Sequence, residues 1–234
     1  MDKHPEPAIH MQSRYDIYAL VHKGLRSAMG QTLYLAGRTD PDDETDLAAL
    51  AQELEGLLLF CGSHVQHEND FIHTAMEARA PGSACRTADD HQDHLEEIAE
   101  LGLLLEALKA TPRGARATAQ QRLYRALAAF VAENYLHMSI EETHNNSVLW
   151  AHYSDEEIAA IEAALVASIP PEKAGLSMRW MLSAMSHGER CGFLGAIRAH
   201  APASAFEGLF GLARSVVAPR DFLKLESALQ ATAA

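Results

Sequence analysis

Apolar residues recur at intervals of three and four along most of the chain, which is the period of an amphipathic helix. The clearest stripe consists of Leu50, Leu54, Leu57, Cys61 and then Phe71 or Ile72. The same stripe contains His64 and Glu68, which are four residues apart and therefore share one helix face. A carboxylate on a core-facing stripe is costly unless it is paired or bound to a metal. This stretch therefore predicts a polar site inside an apolar core.

Three further stripes also place histidine among core positions. Their members are Tyr18, His22, Leu25 and Met29; His91, His94, Ile98, Leu101, Leu105 and Leu108; and Leu123, Leu127, Phe130, His137 and Glu141. Four amphipathic helices that each turn a histidine inward, two of them with a carboxylate, predict a metal site between helices. The other histidines of this region (His67, His73, His144 and His152) lie off the stripes or near helix ends. We expect them at the surface, with His67 and His144 able to support the ligands from outside.

The breaks between stripes define the expected elements. Residues 1–12 are expected to form a flexible polar tail, and residues 13–168 a metal-binding helical region. Its five helices are expected over residues 13–35, 44–79, 87–110, 118–149 and 154–168. Ser13 and Thr87 are the expected capping residues of the first and third helices, and Ser154-Asp155-Glu156-Glu157 is the capping box that begins the fifth. Pro170 and Pro171 mark a boundary, because a proline pair ends a helix. Residues 171–234 predict additional amphipathic helices, and no alternating run of strand length occurs, so the chain is expected to be all-α.

Charge and composition narrow the class of protein. The net charge is −13, which argues against general affinity for nucleic acid or anionic membrane. From Pro171 onward there are seven Lys/Arg against five Asp/Glu, which leaves −15 for the preceding part. No secretory signal and no run of about 18 apolar residues is evident, so a cytoplasmic protein is expected. Three irregularly spaced cysteines do not predict a disulfide framework.

The ordered set of these elements resembles the hemerythrin-like (HHE cation-binding) family over roughly residues 10–168. The matching elements are Ile17-x-x-x-Val21-His22-Lys23-x-x-Arg26, His64-x-x-x-Glu68, Asp93-His94 and His137-Met138-Ser139-Ile140-Glu141-Glu142. The resemblance implies an up-and-down four-helix bundle, here with additional C-terminal helices. It also implies two non-haem iron ions bridged by carboxylates and by an oxo or hydroxo group. His22, His64 and His137 would be terminal ligands, with Glu68 and Glu141 as bridges.

Two positions depart from the family pattern. In hemerythrin the third helix supplies two histidines four residues apart, whereas here Asp90 and His94 have that spacing and His91 and His94 are three apart. We expect His94 and His91 to bind, with Asp90 as the alternative to His91. Hemerythrin's second bridging carboxylate comes five residues after its histidine, which would select Glu142, whereas the apolar stripe favours Glu141.

The donor types support a metal independently of the family. Imidazole together with carboxylate suits iron, manganese or zinc. The ferritin-like alternative requires Glu-x-x-His on each of two helices. The sequence contains only one such match, Glu141-x-x-His144, which disfavours that fold.

We expect a protein that binds or senses a small diatomic ligand, O2 or NO, because no nucleophile or polar relay is evident on the stripes. The alternatives are a di-iron enzyme acting on peroxide or ferrous iron and an iron-responsive scaffold. The apolar C-terminal helices are expected to dock on the bundle, on a second copy or on a partner protein.

Overall fold

The computed structural model describes residues 14–231, and within that range the chain is helical with no strand. The expectation of an all-α protein is confirmed. The α-helices are α1 (Ala19–Arg38), α2 (Glu44–His67), α3 (Thr74–Arg79), α4 (Cys85–Ala110), α5 (Arg116–Ile140), α6 (Asn146–His152), α7 (Asp155–Ser168), α8 (Pro171–Ala184), α9 (His187–His200), α10 (Ala203–Val216) and α11 (Pro219–Ala231). None of the helices in this range combines the length and apolar character that a membrane span requires.

The four long helices α1, α2, α4 and α5 enclose one apolar core, and each of them packs against two of the others. We call this unit the four-helix core. The leucines of the predicted stripes, such as Leu54, Leu105 and Leu127, are fully buried there. Burial of such a stripe stabilises the helices more than intrinsic propensity does, because isolated helices of this length are only marginally stable. The stripes therefore set which face of each helix turns inward.

Two short π-helical segments interrupt the long helices. The first, Glu68–His73, joins α2 to α3, and the second, Glu141–Asn145, joins α5 to α6. A π turn contains an extra residue, so the side chains that follow are rotated by about 100° from their α-helical positions. This rotation buries His73, which the α-helical period placed at the surface. The surface prediction for His73 is therefore wrong, whereas His144 and His152 are exposed as expected.

Most helix boundaries agree with the sequence prediction, and the exceptions are at helix starts. The predicted N-cap Ser13 and the tail of residues 1–12 lie outside the described residues, and α1 begins at Ala19. Helix α4 begins at Cys85, two residues before the predicted cap Thr87. Thr87 is buried inside the first turn instead, with its hydroxyl 3.2 Å from the carbonyl oxygen of Ala84. The capping box at Ser154 is confirmed.

The C-terminal helices attach to the four-helix core through α8. This helix packs along α1 and α2, and Trp180 joins the apolar cluster of the core. Ion pairs between Lys23 and Glu189 and between Arg179 and Glu53 link the two parts. Helices α9, α10 and α11 surround a separate apolar cluster together with the end of α8. The C-terminal segment is thus docked on the chain's own core, which was one of the three partners expected.

Close approach of α1 and α8 depends on a glycine. A Cβ atom built on Gly24 would lie 2.9 Å from Cγ of Met181 and 3.2 Å from its backbone nitrogen. We expect Gly24→Ala to destabilise the protein by about 1–3 kcal/mol, because the helices must separate to admit the methyl group. Chemical unfolding measures the change.

Gly102 in α4 is the matched control, because a Cβ there meets no atom within 4 Å. Gly102→Ala should stabilise the protein by about 0.5–1 kcal/mol, as expected for an unobstructed helical position. Equal responses at the two glycines would contradict the packing of α8 on α1.

Candidate metal centre

Two groups of histidine and glutamate side chains converge between the long helices. The first group consists of His22, His64, Glu68 and Glu141, and the second of Glu68, His91, His137 and Glu141. Within each group one ligand atom per residue lies within 4.8 Å of all the others, so each group can hold a metal ion. Glu68 and Glu141 belong to both groups. The two groups are therefore joined through a shared pair of carboxylates.

Helices α2 and α5 contribute equivalent pairs of residues. Oε1 of Glu68 lies 3.2 Å from Nε2 of His64, and Oε1 of Glu141 lies 3.2 Å from Nε2 of His137. In both pairs the histidine is in the last turn of an α-helix and the glutamate is the first residue of a π segment. Spacing of four residues brings the two side chains to one face, as the stripes predicted.

Helices α1 and α4 complete the groups with one histidine each. Nε2 of His22 is 3.6 Å from Oε1 of Glu68 and 3.4 Å from Oε2 of Glu141. Nε2 of His91 is 3.3 Å from Oε2 of Glu68 and 3.5 Å from Oε1 of Glu141. Ligand atoms that share one ion at about 2.0–2.2 Å lie about 3.0–3.5 Å apart. The observed separations match that spacing closely.

The polar atoms that face the centre lack hydrogen-bond partners within the described chain. They are Nε2 of His22 and His64 and both carboxylate oxygens of Glu68 and Glu141. The other two candidate metal-binding atoms, Nε2 of His91 and Nε2 of His137, lie 3.0 Å apart. Buried polar groups are normally satisfied, and an unpaired buried carboxylate is especially costly. The residues present therefore fit a pair of bound metal ions.

Hydrogen bonds on the outer ring nitrogens hold three of the histidines in the tautomer that metals require. Nδ1 of His22 donates to Glu142 at 3.0 Å, and Nδ1 of His137 donates to Asp90 at 3.1 Å. Nδ1 of His91 donates to Oδ1 of Asn69 at 2.8 Å. A proton on Nδ1 leaves the lone pair of Nε2 free to bind a metal.

Glu142 is fixed by a second contact. Arg26 binds its carboxylate through both terminal guanidinium nitrogens, at 2.5 and 3.0 Å. Burial would raise the pKa of Glu142, but the hydrogen bonds from His22 and Arg26 lower it to about 2. Glu142 therefore stays ionised and orients His22. It lies in neither donor group, whereas Glu141 lies in both.

On α4 the structure distinguishes the three candidates. His91 is a member of a donor group, and Asp90 binds the outer nitrogen of His137. His94 is buried with Nδ1 unpartnered, and its ring centroid is 4.6 Å from that of His137, but it joins neither group. Sequence reasoning favoured His94 over His91 as a ligand, whereas the geometry places His91 and not His94 in a donor group. His67 is half-buried outside both groups and lines a neighbouring pocket.

Sequence reasoning missed a buried polar chain that runs beside the centre. The Asn145 amide donates to the hydroxyls of Tyr18 and Thr87, each at 3.3 Å. The Thr87 hydroxyl is 3.0 Å from Nε2 of His73, whose ring stacks on His91 with centroids 4.8 Å apart. The π segments rotate His73 and Asn145 into the core, and helical periodicity alone carries no signal for that rotation. No polar relay is evident on the stripes because His73, Thr87 and Asn145 lie off them.

The electrostatics of the centre favour protonated imidazole beside the carboxylates when no metal is bound. Burial lowers the pKa of His22, but the hydrogen bond to Glu142 and the nearby carboxylate of Glu68 outweigh it and raise the pKa to about 9. Burial also lowers the pKa of His91, and the close carboxylates of Glu141 and Glu68 again raise it to about 9. These two imidazolium groups offset the charge of the two buried carboxylates. Metal ions would replace those protons.

Two cavities adjoin the centre. A small one of about 10 Å³ is lined by Leu25, Cys61, His64, Val65, His91, His94, Asn134, His137 and Met138. Its volume is close to that of a single water-sized probe. A larger pocket of about 510 Å³ lies between α2, α7 and α8 and reaches His64 and Glu68. The first cavity is of the size of a diatomic molecule, whereas the second is large enough for a small organic molecule.

Comparison of the chain with protein-family models, curated proteins and solved structures gave no match. The resemblance to the hemerythrin-like family therefore rests on the ordered histidine and glutamate positions of the sequence alone. The ability of these buried groups to hold metal is a property of the structure, whereas the family and the identity of the metal remain proposals.

Removal of a donor should lower metal content. We expect His64→Ala and His137→Ala each to reduce the content from about two ions per chain to one or fewer, because each removes one of four donors from a group. His152→Ala is the control, since that residue is exposed. Elemental analysis after loading and desalting measures the result, and full retention in both donor variants would contradict the site.

The same analysis separates His91 from Asp90. His91→Ala should lower the number of bound ions, because its Nε2 faces both carboxylates. Asp90→Ala should keep the number and weaken affinity by about 10- to 100-fold, because Asp90 only orients His137. The reverse result would assign the ligand role to Asp90.

Metal binding should release protons. Because the pKa values of His22 and His91 are about 9, both rings carry a proton at pH 7 that a metal ion must displace. We expect release of about two protons per loaded chain at pH 7 and metal affinity that rises with pH up to about pH 9. Calorimetry in two buffers of different ionisation enthalpy measures the proton count. Proton-neutral binding at pH 7 would contradict the assignment.

Proposed function

We propose that this chain is a non-haem di-iron protein of the hemerythrin-like kind that binds or senses a small diatomic ligand, O2 or NO. In this proposal the four-helix core is an up-and-down bundle, which the short connections from α1 to α2 and from α4 to α5 favour. The observation that carries the proposal is the convergence of buried, unpartnered histidine and glutamate atoms on two positions that share both carboxylates.

The donor set favours iron over other metals. Each group offers two imidazole nitrogens and carboxylate oxygens, a mixture that suits iron and leaves coordination positions for a further ligand. The two shared carboxylates would neutralise part of the charge of two dications, which lowers the cost of burial. When bound, iron would supply an open coordination position and a change of oxidation state.

The surroundings of the small cavity suit a ligand of a few atoms. Leu25, Val65 and Met138 line it with apolar atoms, so bulk water is largely excluded from this side of the centre. Asn134 and His94 are the polar side chains there that belong to neither donor group. The amide of Asn134 donates to the carbonyl of Phe130. Nδ1 of His94 lacks a partner in the described chain and is available to a ligand.

The path from the centre to the C-terminal segment is short and favours a sensing role. His22 and Gly24 are two residues apart in α1, and Gly24 is the point of closest approach to Met181 in α8. A change in the position of His22 would therefore bear directly on the contact between α1 and α8. Such a contact can act as a two-state element whose equilibrium depends on the ligand.

A di-iron enzyme acting on peroxide is the second candidate, and the buried polar chain favours it. Turnover of such a substrate requires delivery of protons, and the hydroxyl of Tyr18 lies at the end of the chain formed by Asn145, Thr87 and His73. The carboxylates of Glu68 and Glu141 raise the pKa of Tyr18 further above the value that burial produces. Tyr18 therefore holds its proton next to the centre.

Rapid mixing of the iron-loaded, anaerobically reduced protein with O2 distinguishes these functions. Ligand binding predicts a visible absorption band that forms once and disappears on deoxygenation. Continuous consumption of peroxide or ferrous iron would show an enzyme and overturn the binding proposal.

Tyr18→Phe provides the matched variant, because it removes the hydroxyl and keeps the buried ring. A binding protein should retain the reversible band in this variant. In an enzyme that draws protons through Tyr18, turnover should fall by about 10- to 100-fold while iron content is unchanged.

A further inference from the structure

The large pocket between α2, α7 and α8 is not used by the proposed diatomic ligand. Its volume of about 510 Å³ lies within the range of cavities that hold small organic molecules, about 300–1,000 Å³. It is a continuous space between the four-helix core and the C-terminal segment. Its inner end is bounded by His64 and Glu68 of the candidate metal centre.

Apolar side chains form most of the wall of this pocket. Leu58 and Phe60 contribute from α2, and Leu176 and Met178 from α8. The wall also contains Leu59, which is 65% exposed, and Val166, which is 57% exposed. Exposed large apolar residues that border a cavity indicate a site for an apolar partner. The shape and lining therefore suit an elongated hydrocarbon better than a polar metabolite.

The charged groups on the pocket wall favour an occupant that carries an anionic group at one end. Glu162 accepts a hydrogen bond from the hydroxyl of Tyr15, and Glu68 faces the metal centre. Lys173, at the start of α8, is exposed and forms no ion pair with any residue that the structure describes. His67 lies on the same wall. In a chain of net charge −13, an unpaired lysine beside an apolar pocket is a local site for an anion.

We propose that this pocket binds a fatty-acid-like molecule, with its hydrocarbon chain between α2, α7 and α8 and its carboxylate on Lys173. The hydrocarbon chain would extend towards His64 and Glu68 and cover the metal centre from this side. The occupant would thereby control access to the centre from the larger of its two cavities. Binding of the molecule itself requires no metal.

A fluorescent fatty acid, dansyl-undecanoate, tests the proposal on the full-length, metal-free protein. We expect saturable binding with a blue-shifted emission, and competition by dodecanoate. Dodecanol should compete about threefold to fivefold less well, because it lacks the charge that an exposed lysine attracts.

Two variants locate the site. Gly62 lines the pocket and a Cβ there meets no atom within 4 Å, so Gly62→Leu should fill the pocket and reduce affinity by at least about 10-fold. Lys173→Ala should abolish the preference for dodecanoate over dodecanol. Gly102→Leu and Lys224→Ala are the matched controls, because neither residue lines the pocket. Thermal unfolding of each variant verifies that it is folded.

Absence of probe binding, or unchanged binding in folded Gly62→Leu, would overturn the proposal. Equal competition by dodecanoate and dodecanol in the unaltered protein would overturn the carboxylate assignment. Iron loading and metal analysis of a separate portion of each protein keep this test separate from the proposed function. A protein that binds the probe but takes up no iron on loading would refute the di-iron proposal and leave this one standing.

Discussion

The fold is organised around the burial of two carboxylates, Glu68 and Glu141, in the interior of a helical core. Ionised groups in such a position are strongly unfavourable unless charges of opposite sign surround them. Helices α1 and α4 supply that compensation through the rings of His22 and His91, which carry protons in the absence of metal, and the rings on all four helices can bind ions in its presence. The same carboxylates and imidazoles that make burial unfavourable can thus hold a metal ion, and the outer hydrogen bonds to Glu142, Asp90 and Asn69 orient three of the histidines.

The π segments link this electrostatic constraint to the rest of the structure. Each begins at one of the two buried glutamates, so the helix is distorted at the point where the carboxylate must face inward. The extra residue then rotates the following turns and brings His73 and Asn145 into the interior. A polar chain that ends at Tyr18 results. Local helix distortions of this kind are frequent at functional sites. Here each π segment begins at a buried glutamate and also turns a polar residue, His73 or Asn145, into the interior.

The C-terminal segment is part of the site rather than an independent appendage. Helix α8 contacts α1 close to His22 and, together with α7, forms one side of the large pocket that reaches His64. Changes at the metal centre and changes in pocket occupancy would therefore act on the same helix contact. Coupling of two sites through one shared contact is the physical basis of allosteric linkage. The proposed diatomic and fatty-acid ligands would each influence the affinity for the other.

The sequence alone determined the all-α class, most helix boundaries, the capping box at Ser154 and the inward-facing histidines and glutamates of the four stripes. It could do so because periodicity fixes which face of a helix is apolar, and proline and capping residues fix where a helix ends. The tertiary structure placed Glu141 rather than Glu142, and His91 rather than His94, in the donor groups. It also revealed the π segments and the pocket beside α8. These features depend on how helices rotate against one another and on local hydrogen-bond register, and a pattern confined to one helix contains neither.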